Sequence, residues 1–177
     1  LRSEGLLKNH MSGYTAIKAP VFPFARFPGV DVVLGPEMRS TGEAMGIDRN
    51  YHDAFTKARL GTGSHLPVKG TVFISVKDSD KNLVIPMAAK LQDLGFKIVA
   101  TGGTASHLVS AGIRAHKINK VYEGQPHAVD AMINGDIHLV INTTHGPRAI
   151  DDGISLRQSA LQNRIPYYTT ISGARAA

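Results

Sequence analysis

The last two thirds of the chain alternate short apolar runs with amphipathic stretches. Apolar and β-branched runs predict five strands, at 71–76, 97–101, 113–118, 137–142 and 167–170. Helical spacing between them predicts four helices, at 83–94, 104–110, 128–133 and 149–162. Strands that alternate with helices favour right-handed crossovers, which make the sheet parallel and place helices on both of its faces. The pattern therefore predicts an α/β fold built on a five-stranded parallel sheet.

Glycines mark where the first three of these helices end, at Gly95, Gly112 and Gly135. Pro86 lies inside the first predicted helix. A start near Asn82 would place this proline in the first turn, where its missing N–H costs little.

The first sixty residues follow a different pattern. Between residues 15 and 34, prolines and glycines interrupt the apolar positions, which is typical of short extended segments joined by turns. A helix is predicted over 51–60, with Asn50 or Asp48 as its N-cap and Gly61 as its stop. This part reads as the edge of a larger unit.

Residues 61–67 are rich in amino acids that break both helices and strands. We therefore expect a domain boundary there, with a first unit over 1–60, a linker over 61–69 and the α/β domain over 70–177.

The composition limits the class of protein. Of 177 residues, 42% are hydrophobic and 19% are charged, which suits one average domain with a smaller appendage and a buried core. The apolar runs are too short to span a bilayer and no signal-peptide pattern opens the sequence, so we expect a cytoplasmic location and no membrane partner. The chain has no cysteine, which excludes disulfides and thiolate zinc sites.

The net charge of +6 at pH 7 raises the question of a nucleic-acid partner. The basic residues are scattered singly, and no aromatic ladder is interleaved with them, so we do not expect nucleic acid. A positive surface suits a phosphorylated small molecule or an acidic partner subunit equally well.

A glycine-rich turn, residues 100–105, follows the second predicted strand. Such a turn offers free backbone N–H groups and the positive end of the next helix to an anion. Two glycines can also serve only to make a tight connection between a strand and a helix. The hydroxyls of Thr101 and Thr104 favour a phosphate site.

Two lysines are predicted near the same edge of the sheet. Lys81 follows the first strand and Lys120 follows the third, and the carboxyl ends of parallel strands share one edge. A single lysine is usually a solvated surface charge, but two beside a glycine turn favour an anion site. We expect Lys81 to occupy a solvent-facing helix start with the ligand phosphate as its main partner.

The segment after the fourth strand adds further polar candidates. Asn142, Thr143 and Thr144 offer an amide and two hydroxyls that could bind a ribose or a phosphate. Asp151 and Asp152 open the next helix, where stabilisation of the helix dipole is the simpler explanation and is favoured for Asp151. Turn formation is the corresponding structural explanation for Asn142.

Neither a metal site nor a catalytic group is predicted. The histidines of the α/β region fall on separate elements, at His107, His116, His127, His138 and His145. No metal-ligand spacing, no Gly-x-Ser-x-Gly motif and no pair of carboxylates beside the glycine turn accompanies them.

Two strings in the first unit, 27–31 (FPGVD) and 34–43 (LGPEMRSTGE), resemble the end of the second ATP-grasp unit of carbamoyl-phosphate synthase large subunits. Residues 70–177 resemble the methylglyoxal-synthase-like regulatory domain that ends the same subunit. The resemblance identifies the chain as the C-terminal part of that subunit, with a small remnant of the ATP-grasp domain in front of the regulatory domain.

The resemblance also implies a function. The family is a ligase that makes carbamoyl phosphate from bicarbonate, glutamine nitrogen and ATP, for pyrimidine and arginine biosynthesis. Its last domain binds UMP as an inhibitor and IMP as an activator. The implied partners are these effectors, the rest of the large subunit and the glutamine amidotransferase small subunit, and a homo-oligomer stays open. ATP with Mg or Mn belongs to the rest of the subunit, so this part is expected to hold no cofactor and to be inactive alone.

Eight positions of this sequence match the nucleotide-binding positions of the family. They are Lys81, Thr101, Thr104, Lys120, Asn142, Thr143, Thr144 and, beside the base, Asp152. Some relatives also bind ornithine through acidic residues where this chain has Ala19 and Tyr168. Regulation by ornithine is therefore not expected.

Two enzymes remain as alternatives. Methylglyoxal synthase shares the sheet and the glycine turn, but its catalytic aspartates correspond to regions that read Gln125-Pro126-His127 and Thr144-His145-Gly146 here. An IMP cyclohydrolase has similar opening strands, but its longer downstream motifs are not found.

Overall fold

Two separate sheets appear in the computed structural model, which describes residues 13–22, 42–143 and 147–177, with the backbone alone for 147–152. The first sheet pairs β1 (Thr15–Val21) and β2 (Gly42–Asp48) antiparallel, and α1 (Tyr51–Gly61) packs against both strands. The strands of the second sheet are β3 (Thr71–Ser75), β4 (Lys97–Ala100), β5 (His116–Lys117), β6 (Leu139–Asn142) and β7 (Tyr167–Tyr168). The helices after α1 are α2 (Lys81–Asp93), α3 (Gly102–Ser110), α4 (Ala128–Ile133), α5 (Pro147–Gln162) and α6 (Ile171–Ala176).

The second sheet has the strand order β5-β4-β3-β6-β7, and all four of its pairings are parallel. The chain moves outward from β3 to one side, then returns past it to build β6 and β7 on the other side. The connections therefore reverse direction between β3 and β6, and ligands of open α/β sheets bind at the carboxyl side of such a reversal. The predicted five-stranded parallel sheet is confirmed.

Helices cover both faces of the sheet, as predicted. In β3, Val72 and Ile74 point into a core that α2, α3 and α6 complete, and Phe73 points into a second core with α4 and α5. All three side chains have an exposed fraction of 0%. Because successive residues of a strand face opposite sides, an apolar run is required where both sides are covered.

Three predicted helices begin two residues earlier than expected, and one of them is α5, which starts at Pro147 instead of residue 149. Helix α3 begins at Gly102 instead of Thr104, so both glycines belong to its first turn. Helix α2 begins at Lys81, which places Pro86 inside the helix, beyond the first turn. The proline lacks the N–H that would bond the carbonyl of Asn82, so this helix forms with one hydrogen bond fewer.

The two strands at the edges of the sheet, β5 and β7, are shorter than predicted. The third strand of the sheet, β5, covers two residues, and the segment before it is a connection in which the amide of Ile113 donates to the carbonyl of Leu108 at 3.0 Å. Residue Thr170 ends the predicted strand 167–170 early, because its Oγ1 accepts from the amide of Gly173 at 3.0 Å and caps the unpredicted helix α6.

The predicted helix 51–60 is present as α1, and Asn50 is its N-cap. The Asn50 side-chain oxygen accepts from the amide of His52 at 2.8 Å. Helix α1 also touches the α/β domain, where the guanidinium carbon of Arg59 lies 5.8 Å from the centre of the Tyr168 ring. Burial raises the pKa of the Tyr168 hydroxyl, and the Arg59 charge opposes that shift. The predicted linker 61–69 contains no helix after Gly61 and no strand, and the domain limits stay a prediction.

A close approach of backbones joins β2 to α1 at Gly46. A Cβ atom on this residue would collide with the carbonyl oxygen of Ala54 and the amide nitrogen of Ala58. We expect Gly46→Ala to lower the free energy of unfolding by about 1–3 kcal/mol, because α1 must shift away from the sheet. Chemical denaturation would measure this loss. Gly42→Ala is the matched control, since a Cβ there meets no atom within 4 Å, and equal losses for both variants would contradict the close packing.

The strings that resemble the ATP-grasp unit lie largely outside the described residues, so the predicted remnant of that domain stays a prediction. Ala19 lies on β1, half-buried. None of the helices in the described part of the chain is long and apolar enough to cross a membrane.

Candidate anion-binding site

The carboxyl ends of β3, β4 and β6 open into a cavity of about 480 Å³. A cavity of this size is typical of sites for small molecules. It lies where the strand connections reverse, as the sheet topology requires. Six of the predicted site residues line it: Lys81, Thr101, Thr104, Lys120, Asn142 and Thr143. Thr144 lies outside the described residues, and the side chain of Asp152 is not described, so both stay predictions.

The start of α3 forms one wall of the cavity. Thr101 occupies the N-cap position, and the amides of Gly102, Gly103 and Thr104 follow in the first turn, where an α-helix supplies no carbonyl partner. The positive end of the helix dipole adds to these donors. A Cβ built on Gly103 would lie 3.3 Å from the Nζ atom of Lys81, so the ammonium sits directly over this backbone. Backbone donors and a cation therefore meet at one point.

Lys81 has a partner that the sequence did not predict. Its Nζ donates to Oδ1 of Asp78 at 2.8 Å, and only 24% of the Lys81 side chain is exposed. The hydrogen bond from Lys81 and its charge lower the pKa of the Asp78 carboxyl, Lys120 adds to the shift, and desolvation opposes it. The expectation of a solvent-facing lysine with the ligand as its main partner is therefore wrong. A carboxylate already binds the ammonium.

The threonines hold the loop after β3 between its two neighbours. Oγ1 of Thr104 accepts from the amide of Val76 at 3.3 Å, and Oγ1 of Thr143 accepts from the amide of Lys77 at 3.1 Å. The hydroxyl of Thr101 pairs with that of Ser75 at 3.1 Å. A hydroxyl that accepts can still donate its own hydrogen. The threonines can therefore hold the loop after β3 in place and bind an anion at the same time.

Asn142 and Lys120 close the other sides. The Asn142 amide donates to the hydroxyl of Tyr167 at 2.7 Å, which fixes the orientation of the carboxamide at the end of β6. Lys120 donates to the hydroxyl of Tyr122 at 3.2 Å and lies 5.5 Å from the centre of that ring. Both lysine contacts involve an uncharged group, so the positive charge of Lys120 is not neutralised by them.

Four polar lining residues were missed in the sequence: Ser75, Lys77, Asp78 and Ser79. They come at the end of β3 or directly after it, so the rule that placed Lys81 at the rim would have placed them there too. Among the described residues that line the cavity are three lysines and one aspartate, so the net charge of this lining is positive. In the described part of the chain, no three His, Asp or Glu side chains are grouped as a metal site would require. The arrangement suits the binding of an anion.

Comparison with known proteins identifies relatives along the whole chain. Residues 83–169 match the MGS-like domain family. The chain is 58% identical over 164 residues to the carbamoyl phosphate synthase large chain of Rhizobium meliloti, covering 93% of this chain and 14% of that protein. It is 49% identical over 177 residues to the large chain of Myxococcus xanthus, covering 100% of this chain and 16% of that protein. The chain thus spans about one seventh of the length of these relatives.

Among solved structures, the chain is similar to a methylglyoxal synthase from Elizabethkingia anophelis. The TM-score is 0.48 and the sequence identity 14%, over 62% of this chain and 77% of the other.

Proposed function

We propose that the MGS-like domain of this chain is a nucleotide-binding regulatory domain, since the chain belongs to the family of carbamoyl phosphate synthase large chains and matches their C-terminal region. In this proposal the cavity at the carboxyl edge of the sheet binds UMP and IMP. Their binding controls the synthesis of carbamoyl phosphate by the rest of the large chain. The chain itself acts as a binding unit without turnover.

One observation carries the proposal. The ammonium of Lys81 lies over Gly103, beside the first-turn amides of α3, for which the helix itself supplies no carbonyl partner. Backbone N–H groups at a helix start and a charge-assisted lysine contact are the means by which proteins bind phosphate. Lys120 adds a second cation to the same cavity. These groups match the dianionic end of a nucleoside monophosphate.

The remaining site residues have distinct proposed roles. Thr101, Thr104 and Thr143 place hydroxyls around the phosphate, and Asn142 offers an oriented carboxamide to the nucleoside. Thr144 and Asp152 complete the site by resemblance to the family, Asp152 beside the base. Because Asp78 is bound to Lys81, the phosphate shares or competes for an ammonium that has three hydrogens to donate.

The wider setting is part of the same proposal. The family resemblance supports a glutamine-dependent, ATP-driven ligase of pyrimidine and arginine biosynthesis, in the cytoplasm. The partners are the rest of the large chain, which uses ATP with Mg or Mn, and the amidotransferase small subunit.

We expect UMP and IMP each to bind this chain in a calorimetric titration. The nucleosides uridine and inosine should bind at least about tenfold more weakly, because they lack the group that Lys81 and α3 bind. Equal affinity of nucleotide and nucleoside would contradict the phosphate site, and so would undetectable binding of both nucleotides at millimolar concentration. In parallel, methylglyoxal formation from dihydroxyacetone phosphate separates the alternatives, since turnover would assign the chain to the lyases.

A further inference from the structure

We propose that one face of the β1–β2 sheet is an interface, and that the preceding part of the large chain covers it. The proposal rests on the proposed function only in taking the rest of the large chain as a partner, and it is independent of the nucleotide site. The outer face, as we call it, consists of the exposed residues that alternate along the two strands: Ala16, Lys18, Pro20, Glu43, Met45 and Ile47.

The two faces of this sheet have different surroundings. Helix α1 packs against the face that contains Gly46, where an added Cβ would collide with the backbone of the helix. Because successive residues of a strand face opposite sides, Met45 and Ile47 lie on the outer face. In the register of the sheet they pair with Lys18 and Ala16. The exposed fraction is 62% for Met45 and 51% for Ile47.

The sizes of the side chains in β2 are the reverse of those expected for a sheet with one face in water. Such a sheet places its large apolar side chains on the covered face and polar ones on the solvent face. In β2 the side toward α1 carries Ala44 and Gly46, whereas the outer side carries Met45 and Ile47. The small residues let the helix approach closely, and the large apolar residues point away from it. This distribution fits a strand that is covered on both faces.

The polar groups of the outer face lie around these apolar side chains and already have partners. Nζ of Lys18 lies 2.9 Å from Oε1 of Glu43. Beyond the other end of the face, the guanidinium carbon of Arg49 lies 5.6 Å from the centre of the Tyr14 ring. An apolar centre with a polar rim is the usual arrangement of a protein interface. Since the ammonium and the carboxylate on this face are paired with each other, covering it leaves neither charge alone.

The comparison with relatives indicates what covers the outer face. This chain matches the C-terminal region of large chains and spans about one seventh of their length, so most of a large chain precedes β1 in sequence. Two large apolar side chains are too few for a stable contact between separate molecules, which needs about 20–30 residues from each partner. A partner in the same polypeptide is held nearby at a high effective concentration, so a small apolar surface is sufficient. We therefore assign the face to the preceding part of the large chain and not to a second copy.

The test is thiol labelling, because the sequence contains no cysteine. Ile47→Cys is introduced into the 177-residue chain and into a large chain that carries this sequence as its C-terminal region, and mass spectrometry quantifies the labelled peptide. The large chain should be labelled at least about tenfold more slowly, because a covered thiol reacts only after local opening. Met45→Cys should behave in the same way. The matched control is Val109→Cys on α3, since Val109 is 55% exposed; it should be labelled at the same rate in both proteins.

Three results would overturn the proposal. Equal labelling of Ile47→Cys in the two proteins would leave the face uncovered. Slow labelling in the 177-residue chain itself would show that a segment of this chain covers it, and labelling that slows as the concentration of this chain rises would assign it to a second copy. Titration of the same Ile47→Cys chain with UMP and IMP separates the two proposals: nucleotide binding with an unprotected thiol rejects only the interface, and a protected thiol without nucleotide binding rejects only the nucleotide site.

Discussion

Replacement of Lys81 by alanine is expected to weaken the binding of UMP and IMP by about one to two decades. A hydrogen bond to a charged group contributes about 1.5–3 kcal/mol, and about 1.4 kcal/mol corresponds to a tenfold change in affinity. The ammonium lies over Gly103 and has Asp78 as its ion-pair partner. Its removal takes a cation from the phosphate position and leaves the carboxylate of Asp78 there, so both changes oppose an anionic ligand.

The stability of the Lys81→Ala chain should change by no more than about 0.5 kcal/mol, because 95% of the Asp78 side chain is exposed and water solvates it when the lysine is gone. Lys90→Ala is the matched control on the same helix. It lies nine residues further along α2, about 14 Å away by the helical rise. Calorimetry and thermal unfolding of both variants decide the question. Unchanged nucleotide affinity in Lys81→Ala would remove this lysine from the site.

The pKa of Asp78 gives an independent measurement of the same contact. Lys81 holds this pKa below its usual range, so the ion pair persists above it and is lost as the pH falls through it. In Lys81→Ala the pKa should rise toward the ordinary aspartate value, which a carboxyl-detected NMR titration would record. An unchanged pKa would show that Lys81 does not contact Asp78 in solution.

The sheet was predictable because its central strands, β3 and β6, are buried on both faces. An apolar run such as 139–141, which is buried at every position, has no other simple explanation in a chain that alternates strands with helices. The boundaries were less predictable. Two consecutive glycines are poor helix formers, and tertiary packing of α3 overrides that preference at Gly102 and Gly103.

The site was predictable as far as topology alone determines it. Parallel strands bring their carboxyl ends to one edge, so residues that follow β3, β4 and β6 had to lie together. The contacts between those residues depend on loop geometry. The Thr104 bond to the amide of Val76 spans 28 residues, and the Thr143 bond to the amide of Lys77 spans 66. Neither contact has a periodic signature in the sequence.

Helix α3 contributes both to the core and to the proposed anion site. Its first turn carries the proposed phosphate donors, and its last turns are held on the sheet by a buried face. Leu108 has an exposed fraction of 0% and belongs to the core between the sheet and the helices α2 and α3. Its neighbour Val109 is 55% exposed. The two residues are adjacent in one helix but lie in opposite environments.

Leu108→Ala is therefore expected to lower the free energy of unfolding by about 2–5 kcal/mol, since it removes buried methyl groups and leaves a cavity in the core. That is a large share of the roughly 5–15 kcal/mol by which domains are stable, and it should lower the melting temperature by on the order of 10 °C. Val109→Ala should cost no more than about 0.5 kcal/mol, because its methyl groups already face water. Chemical denaturation of both variants measures the difference. If the two losses are equal, α3 is not packed on the sheet as described, and the anchoring of its first turn at the anion site has to be abandoned with it.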